Sequence, residues 1–173
     1  MSDKKLCGVV ALLLMCATTA RAQYTFTNVA DSSSPIYDSF AGKTPSLNSA
    51  GLLGFFAYLD GGGQGLFTGN GTTTTIALTS GTPYGAFGTN SPGSFPLDSA
   101  GRLGFRAEFD AGGHGLFRSD GTTTTTTVAL DSSPTFSFLQ NPSMNSAGTL
   151  GFHASLDTAG FFAVSNDAIS YGG

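Results

Sequence analysis

Apolar and polar side chains alternate in three matched segments of the chain. From residue 103 to residue 109, every second position is apolar, at Leu103, Phe105, Ala107 and Phe109. The same positions are held by Leu53, Phe55, Ala57 and Leu59 in the first segment and by Leu150, Phe152, Ala154 and Leu156 in the third. A period of two with one apolar face is typical of a half-buried β-strand. A helix would need apolar residues three and four apart and would lose about 1 kcal/mol at each interior glycine, so we expect an all-β protein.

The matched segments belong to a longer repeat. Each follows an Asn/Asp-Ser-Ala-Gly tetrapeptide, and these begin 50 and 47 residues apart, at Asn48, Asp98 and Asn145. Further upstream, an aromatic residue follows eight positions after each of Val29, Ile76 and Val128. Periods of this size indicate tandem copies of one supersecondary unit. We predict antiparallel units of three or four strands at residues 23–71, 72–121 and 122–173.

Turn signals separate the predicted strands. Asn or Asp at the first position of each tetrapeptide and Gly at the fourth are a type I turn signature, and the Gly-rich segments 60–65 and 110–115 suit hairpin loops. The threonine runs that follow suit strands exposed on one side. On the strand face that otherwise varies, only glycine repeats, at Gly54, Gly104 and Gly151. This predicts that a neighbouring backbone or aromatic ring packs closely there.

The first 22 residues have the order of a secretory signal peptide. Two lysines precede an apolar stretch at residues 6–17, and Ala20-Arg21-Ala22 is an A-x-A cleavage site. The apolar stretch is shorter than the roughly 20 residues that a membrane-spanning helix needs. We therefore expect a helical signal peptide, no membrane span after its removal, and export to the periplasm, the cell surface or the extracellular space. Cleavage removes both cysteines, which excludes disulfides and thiol chemistry from the mature chain.

The mature chain is acidic. Removal of residues 1–22 leaves four basic and ten acidic side chains, from 7 and 11 in the full sequence. An acidic surface repels phosphate backbones, so a nucleic-acid partner is not expected. The remaining residues, 23–173, suffice for one domain with its own core.

At these positions the chain resembles a family of exported bacterial tandem-repeat proteins. Their consensus reads N-x-x-G-x-V-A-F-x-A-x-L, followed by a Gly-rich turn and G-I-F. The first unit matches it with Asn48, Gly51, Leu53, Phe55, Ala57, Leu59 and Gly65-Leu66-Phe67. Gly replaces the usual Ala before Phe in all three copies. The resemblance covers essentially the whole mature chain and implies a secreted or surface-associated protein; it implies no established activity, so no catalytic residue is carried over.

The closure of the fold stays open at the level of sequence. A period near 50 residues with about four strands suits the blade of a β-propeller, but propellers normally have four to eight blades. The chain is then a short or fragmentary member, or two chains share a six-bladed ring, or three units close a β-trefoil or β-prism. We favour propeller-like sheets, with the trefoil or prism as the alternative.

Recurrent carboxylates are the first candidates for ligand binding. They lie at matched positions, at Asp60, Asp110 and Asp157 and again at Asp31 and Asp131. Each loop offers one carboxylate, whereas Ca²⁺ takes six to eight oxygen ligands. We therefore expect turn-forming roles for these residues and no metal site.

The second unit contains a further candidate. A hairpin around residues 110–115 would gather five polar side chains into one patch, at Arg102, Arg106, Glu108, His114 and Arg118. Such a patch fits an anionic glycan or a carboxylate, because Arg binds these groups bidentately. The alternative is cross-strand ion pairing on a solvated sheet, worth less than about 1 kcal/mol per exposed pair.

No residue pattern points to catalysis. The two histidines, His114 and His153, fall at different repeat positions, whereas a zinc site needs three or four ligands. We expect no enzyme activity and no cofactor. The leading hypothesis is a non-enzymatic repeat protein with a structural or interaction role, whose partner is a protein, a glycan or a second copy of the chain. The alternative is a lectin-like carbohydrate-binding module that stacks sugars on Phe56, Tyr58 and Tyr84.

Overall fold

The computed structural model describes residues 25–40, 42–88, 93–122, 125–131, 136–156, 161–165 and 168–170. Within these ranges the chain forms sixteen β-strands and no helix, which confirms the predicted all-β fold. The strands are β1 (Tyr37–Ser39), β2 (Lys43–Thr44), β3 (Ser46–Leu47), β4 (Leu53–Leu59), β5 (Gln64–Gly69), β6 (Thr73–Leu78), β7 (Tyr84–Phe87), β8 (Gly93–Ser94), β9 (Leu103–Phe109), β10 (His114–Ser119), β11 (Thr125–Leu130), β12 (Phe136–Leu139), β13 (Ser143–Met144), β14 (Leu150–Leu156), β15 (Phe161–Ser165) and β16 (Ala168–Ser170). The described ranges contain no helix that could cross a membrane. The predicted signal peptide, residues 1–22, lies outside them.

The strands form three antiparallel sheets in chain order. Sheet 1 has the strand order β1-β4-β5-β6, sheet 2 the order β7-β9-β10-β11 and sheet 3 the order β12-β14-β15-β16. The short strands β3 and β13 add to β4 and β14. Each sheet is a meander. A longer connection, which we call the excursion, joins its first two main strands and contains the Asn/Asp-Ser-Ala-Gly turn. The parallel pair β2 and β8 joins the excursions of sheets 1 and 2.

The sequence repeat and the sheets are out of phase by one strand. β6 begins the sequence unit 72–121 but pairs with β5 of sheet 1, and β11 likewise pairs with β10 of sheet 2. The corresponding residues of the first unit, 29–31, are not part of a strand and lie beside sheet 1. The Val29 carbonyl accepts a hydrogen bond from the Thr73 hydroxyl at 3.1 Å, and the Val29 side chain packs on the core of sheet 1.

Matched β-bulges make the sheets copies of one another. The first strand of every sheet carries one extra residue, at Asp38, Gly85 and Ser137. The fourth strand of sheets 1 and 2 carries another, at Ile76 and Val128. A bulge bends its strand and increases the right-handed twist, so the three sheets acquire similar local curvature.

The sheets stack face to face. We call the face with the repeated Leu-x-Phe-x-Ala residues the repeat face and the opposite one the variable face. The variable face of sheet 1 and the repeat face of sheet 2 share one buried cluster, which includes Phe56, Leu66, Ile76, Leu103, Phe105 and Ala107. The variable face of sheet 2 and the repeat face of sheet 3 share a second, which includes Leu116, Ala129, Phe136, Phe152 and Ala154.

Sheet 2 is therefore covered on both faces. Leu116 and Phe117 are neighbours in β10, point to opposite faces and pack in different clusters. A closed prism of three sheets would leave the outer face of each sheet to solvent, whereas consecutive propeller blades bury both faces of the middle blade. Among the described residues, no hydrophobic cluster joins sheet 1 to sheet 3, so the stack has two ends.

The repeated glycines of the variable face make room for the next sheet. A Cβ atom at Gly54 would lie 2.6 Å from Leu103 Cδ1 of sheet 2, and one at Gly104 would lie 3.2 Å from Leu150 Cδ2 of sheet 3. Both leucines are fully buried. A group does approach closely at these glycines, but it is a leucine side chain, so the predicted backbone or aromatic ring was wrong.

The three tetrapeptides form the predicted turns and touch one another. In each turn, the Oδ1 atom of the first residue accepts backbone N–H groups two and four positions later, at 2.8–3.1 Å. The fourth residue, glycine, has a φ of 77° to 86°, which other residues rarely adopt. The Asn48 amide donates to the Asp98 carbonyl at 2.9 Å, and the Ser99 N–H donates to the Ser146 carbonyl at 3.1 Å. The turns thus form a row across the three sheets.

Candidate functional site

All five residues of the predicted polar patch lie on the variable face of sheet 2. In the pairing of β9 with β10, His114 lies opposite Glu108 and Arg118 lies opposite Gly104. This face packs on sheet 3, so the patch lies at a junction between sheets. It divides along the strands into Arg102 with Arg118 at one end, Arg106 in the middle, and Glu108 with His114 at the other end.

Two arginines hold the turn of sheet 3. Arg102 Nε lies 2.6 Å from Oδ2 of Asp98, whose side chain is fully buried. Arg102 Nη2 donates to the Ala147 carbonyl at 3.1 Å, and Arg118 Nη1 donates to the Gly148 carbonyl. Hydrogen bonds from charged donors are stronger than neutral ones, so these contacts fasten sheet 3 to sheet 2.

Arg106 lies between the sheets. Its exposed fraction is 1%, and its guanidinium carbon lies 5.6 Å from the centre of the Phe138 ring in sheet 3. Burial lowers the pKa of Arg106, and the charges of Asp131 and Glu108 oppose this shift. Arginine stays protonated in proteins, so its guanidinium packs as a cation on an aromatic ring.

His114 pairs with Asp131 at the other end of the patch. Its backbone N–H donates to Asp131 Oδ1 at 2.7 Å, and its ring Nδ1 lies 2.7 Å from Asp131 Oδ2. In sheet 1, Gln64 and Thr79 make the matching contact, in which the Gln64 N–H donates to the Thr79 hydroxyl at 2.8 Å. The recurrence of this contact indicates that it extends the strand pairing at the same point of both sheets.

The aromatic residues considered for sugar stacking are mostly inside the protein. Phe56 is 5% exposed and packs between sheets 1 and 2. Tyr84 is half-buried among Phe105, Phe117 and other rings, and burial raises the pKa of its phenol. Of the three residues, Tyr58 is the most accessible, at 38% exposure.

The described aspartates of this set lie at turn positions. The Asp60 N–H donates to the Ile36 carbonyl and the Asp110 N–H to the Pro83 carbonyl. The Ser33 N–H donates to Asp31 at 2.9 Å, and the hydrogen bonds from Ser33 lower the pKa of Asp31. Asp157 lies outside the described residues. In the part of the chain that the structure describes, no group of three or more His, Cys, Asp or Glu could hold a metal ion.

Sequence reasoning missed a groove of about 400 Å³ at one end of the stack. It lies on the repeat face of sheet 1, and its lining includes Asn28, Val29, Phe40, Lys43, Leu53 and Phe55. The Lys43 ammonium donates to the Gly88 carbonyl, and burial lowers the pKa of Lys43. The alignment of residues 29–31 with the fourth strands β6 and β11 was the signal for the groove, because this segment packs on the repeat face of sheet 1 and lines the groove.

The opposite end of the stack is the variable face of sheet 3. Gly151 is half-buried there and His153 is exposed, whereas the matching Gly104 and Arg106 of sheet 2 are buried. At the groove end, Leu53 is likewise half-buried, whereas the matching Leu103 and Leu150 are 0% exposed. The two ends therefore present the two halves of the contact that joins neighbouring sheets.

Comparison of the sequence with protein-family models and with curated proteins gave no match to either.

Proposed function

We propose that the chain is an exported, non-enzymatic repeat protein with a structural or interaction role in the periplasm, at the cell surface or outside the cell. The strongest support comes from the groups that the polar side chains of sheet 2 contact. Arg102 and Arg118 donate to carbonyls of the next sheet, Arg106 packs on its ring, and His114 extends the strand pairing. The three arginines thus hold neighbouring sheets together, and His114 holds neighbouring strands of sheet 2.

Export is supported by the order of charge, apolar stretch and A-x-A site in residues 1–22, and by the resemblance to exported repeat proteins. Expression of the full chain with a C-terminal tag in a Gram-negative host tests it. We expect a product in the periplasm or the medium whose intact mass corresponds to a chain that begins at Gln23. An Ala22→Leu variant should accumulate uncleaved. Uncleaved wild-type protein in the cytoplasm would contradict export.

The absence of catalysis is tested with the purified mature chain, residues 23–173, on a panel of ester, peptide, phosphate and glycoside substrates. We expect no turnover above that of the heat-denatured protein. Turnover that requires the folded protein would overturn the proposal. A glycan array probes the alternative in parallel: binding that a Tyr58→Ala variant loses would favour a lectin-like function, whereas the proposal predicts no such binding.

A further inference from the structure

Neighbouring sheets of this protein fit together through a leucine and a glycine. Leu103 packs against the backbone of Gly54, and Leu150 packs against that of Gly104. The same arrangement occurs at both junctions, and the two leucines are 0% exposed. The contact is directional, because the leucine always comes from the repeat face and the glycine from the variable face.

Each end of the stack carries one half of this contact. Leu53 is the matching leucine of sheet 1, is half-buried and lines the groove. The segment of residues 27–30 forms a wall of that groove. Gly151 is the matching glycine of sheet 3 and is also half-buried.

We propose that chains associate head to tail, so that the variable face of sheet 3 in one copy packs at the groove on the repeat face of sheet 1 in the next. Leu53 then packs against Gly151 of the other copy. This inference rests on the proposed interaction role and names its partner as a second copy of the chain. The partner follows from continuity: the intermolecular junction repeats the one that the chain already makes twice.

The row of turns supports the same direction. The Asn48 amide donates to the carbonyl of the first turn residue in the next sheet, Asp98. Asn145 is the same residue type at the same turn position in sheet 3, and it is exposed. In a head-to-tail contact its amide faces the Asn48 carbonyl of the second copy. A contact between two different faces either closes into a ring, here two chains with six sheets, or continues into a filament.

Light scattering after size-exclusion chromatography tests the proposal on the mature chain. We expect the wild-type protein to elute as a dimer or a larger assembly at concentrations well above micromolar. Leu53→Glu and Gly151→Glu place a charge in opposite halves of the junction and should each yield a monomer. An equimolar mixture of the two variants retains one intact junction and should form a 1:1 heterodimer.

Two controls keep the test decisive. Circular dichroism establishes that both variants are folded, and Thr126→Glu, on an exposed position of β11 in the middle sheet, should leave the assembly unchanged. A monomeric wild-type protein would overturn the proposal. So would a Gly151→Glu variant that stays oligomeric, because that result indicates pairing of two identical faces. The export and turnover assays do not depend on this outcome, so a monomeric, exported, inactive protein would remove self-association alone.

Discussion

Arg106 of sheet 2 lies over the ring of Phe138 in sheet 3, at 5.6 Å from the guanidinium carbon to the ring centre. Desolvated contacts of this kind are worth up to about 2 kcal/mol. We therefore expect Arg106→Met and Phe138→Leu to be coupled, with a coupling energy of roughly 0.5–2 kcal/mol in a double-mutant cycle. Urea unfolding of the mature chain measures it.

Arg118→Met with Phe138→Leu is the matched control, because the Arg118 guanidinium donates to the Gly148 carbonyl instead. This pair should be additive within about 0.5 kcal/mol. If Arg106 and Phe138 were additive as well, the ring contact would contribute nothing to the junction of sheets 2 and 3.

Asp98 should be the most sensitive of the three turn acceptors. It is 0% exposed, accepts the N–H groups of Ala100 and Arg102, and pairs with the Arg102 guanidinium. Asp98→Ala removes the buried carboxylate that accepts two backbone N–H groups and pairs with Arg102, so we expect it to lower the free energy of unfolding by about 2–3 kcal/mol. Asp98→Asn keeps the Oδ1 acceptor and should lose about 1 kcal/mol.

The exposed counterpart Asn145 provides the comparison. Asn145→Ala should cost about 1 kcal/mol or less, because water can replace the lost acceptor. If alanine substitution at residues 98 and 145 lowered the free energy of unfolding equally in urea, burial of Asp98 would not increase its contribution to stability.

The turns and strands could be predicted because they depend on residues a few positions apart. Asn48, Asp98 and Asn145 accept hydrogen bonds from their own turns. The Leu-x-Phe-x-Ala alternation forms β4, β9 and β14 as expected. The close approach at Gly54 followed from the recurrence of glycine alone.

The stacking of sheets could not be predicted from the alternation of apolar and polar residues. Alternation identifies one apolar face per strand, but it does not show that the opposite face also packs against a sheet. Arg106 and Glu108 resemble residues of a solvated face, although Arg106 is buried. The apolar Leu116 on the same face was the sequence feature that could have indicated that this face is buried. In sheet 3, Val164 lies opposite Phe152, just as Phe67 lies opposite Phe55 and Phe117 lies opposite Phe105. The pairing of β14 with β15 therefore keeps the register of the other two sheets, although valine stands where they have phenylalanine.

Gly54→Ala should destabilise the protein through Leu103. The added methyl would approach Leu103 Cδ1 at 2.6 Å, and this leucine is fully enclosed. Overpacking of this kind costs about 1–3 kcal/mol. In a Leu103→Ala background the cost of Gly54→Ala should fall, because the space is then available.

Gly61→Ala is the control for the loss of a glycine as such. A Cβ atom there would meet nothing within 4 Å. The free energy of unfolding should therefore change by less than about 0.5 kcal/mol or rise slightly. Equal destabilisation by the two substitutions in thermal and urea unfolding would show that packing against Leu103 is not the cause.

Alkaline pH should weaken the fold through Tyr84. Burial raises the pKa of this phenol above its ordinary value near 10, so the unfolded chain ionises first. The stability that the neutral phenol contributes is complete below about pH 10 and is lost as the pH rises through the higher folded value. As the pH rises above about 10, the urea midpoint of Tyr84→Phe should fall less steeply than that of the wild type.

Tyr58→Phe is the control for this experiment, because Tyr58 is much more exposed. It should keep the wild-type pH slope. The buried Lys43, whose pKa is lowered, titrates in all three proteins and cancels from the comparison. A slope that Tyr84→Phe leaves unchanged would mean that the phenol is solvated in the folded state.

Hydrogen exchange of backbone amides tests most directly whether sheet 2 lies between sheets 1 and 3. The measurement uses the Leu53→Glu variant of the mature chain, so that self-association adds no protection. β9 and β10 should exchange most slowly, and the matching strands β4 and β14 should exchange faster, because within the described residues only sheet 2 packs against a neighbouring sheet on both faces. Equal protection of the three copies, or fastest exchange in β9, would contradict the stacked arrangement.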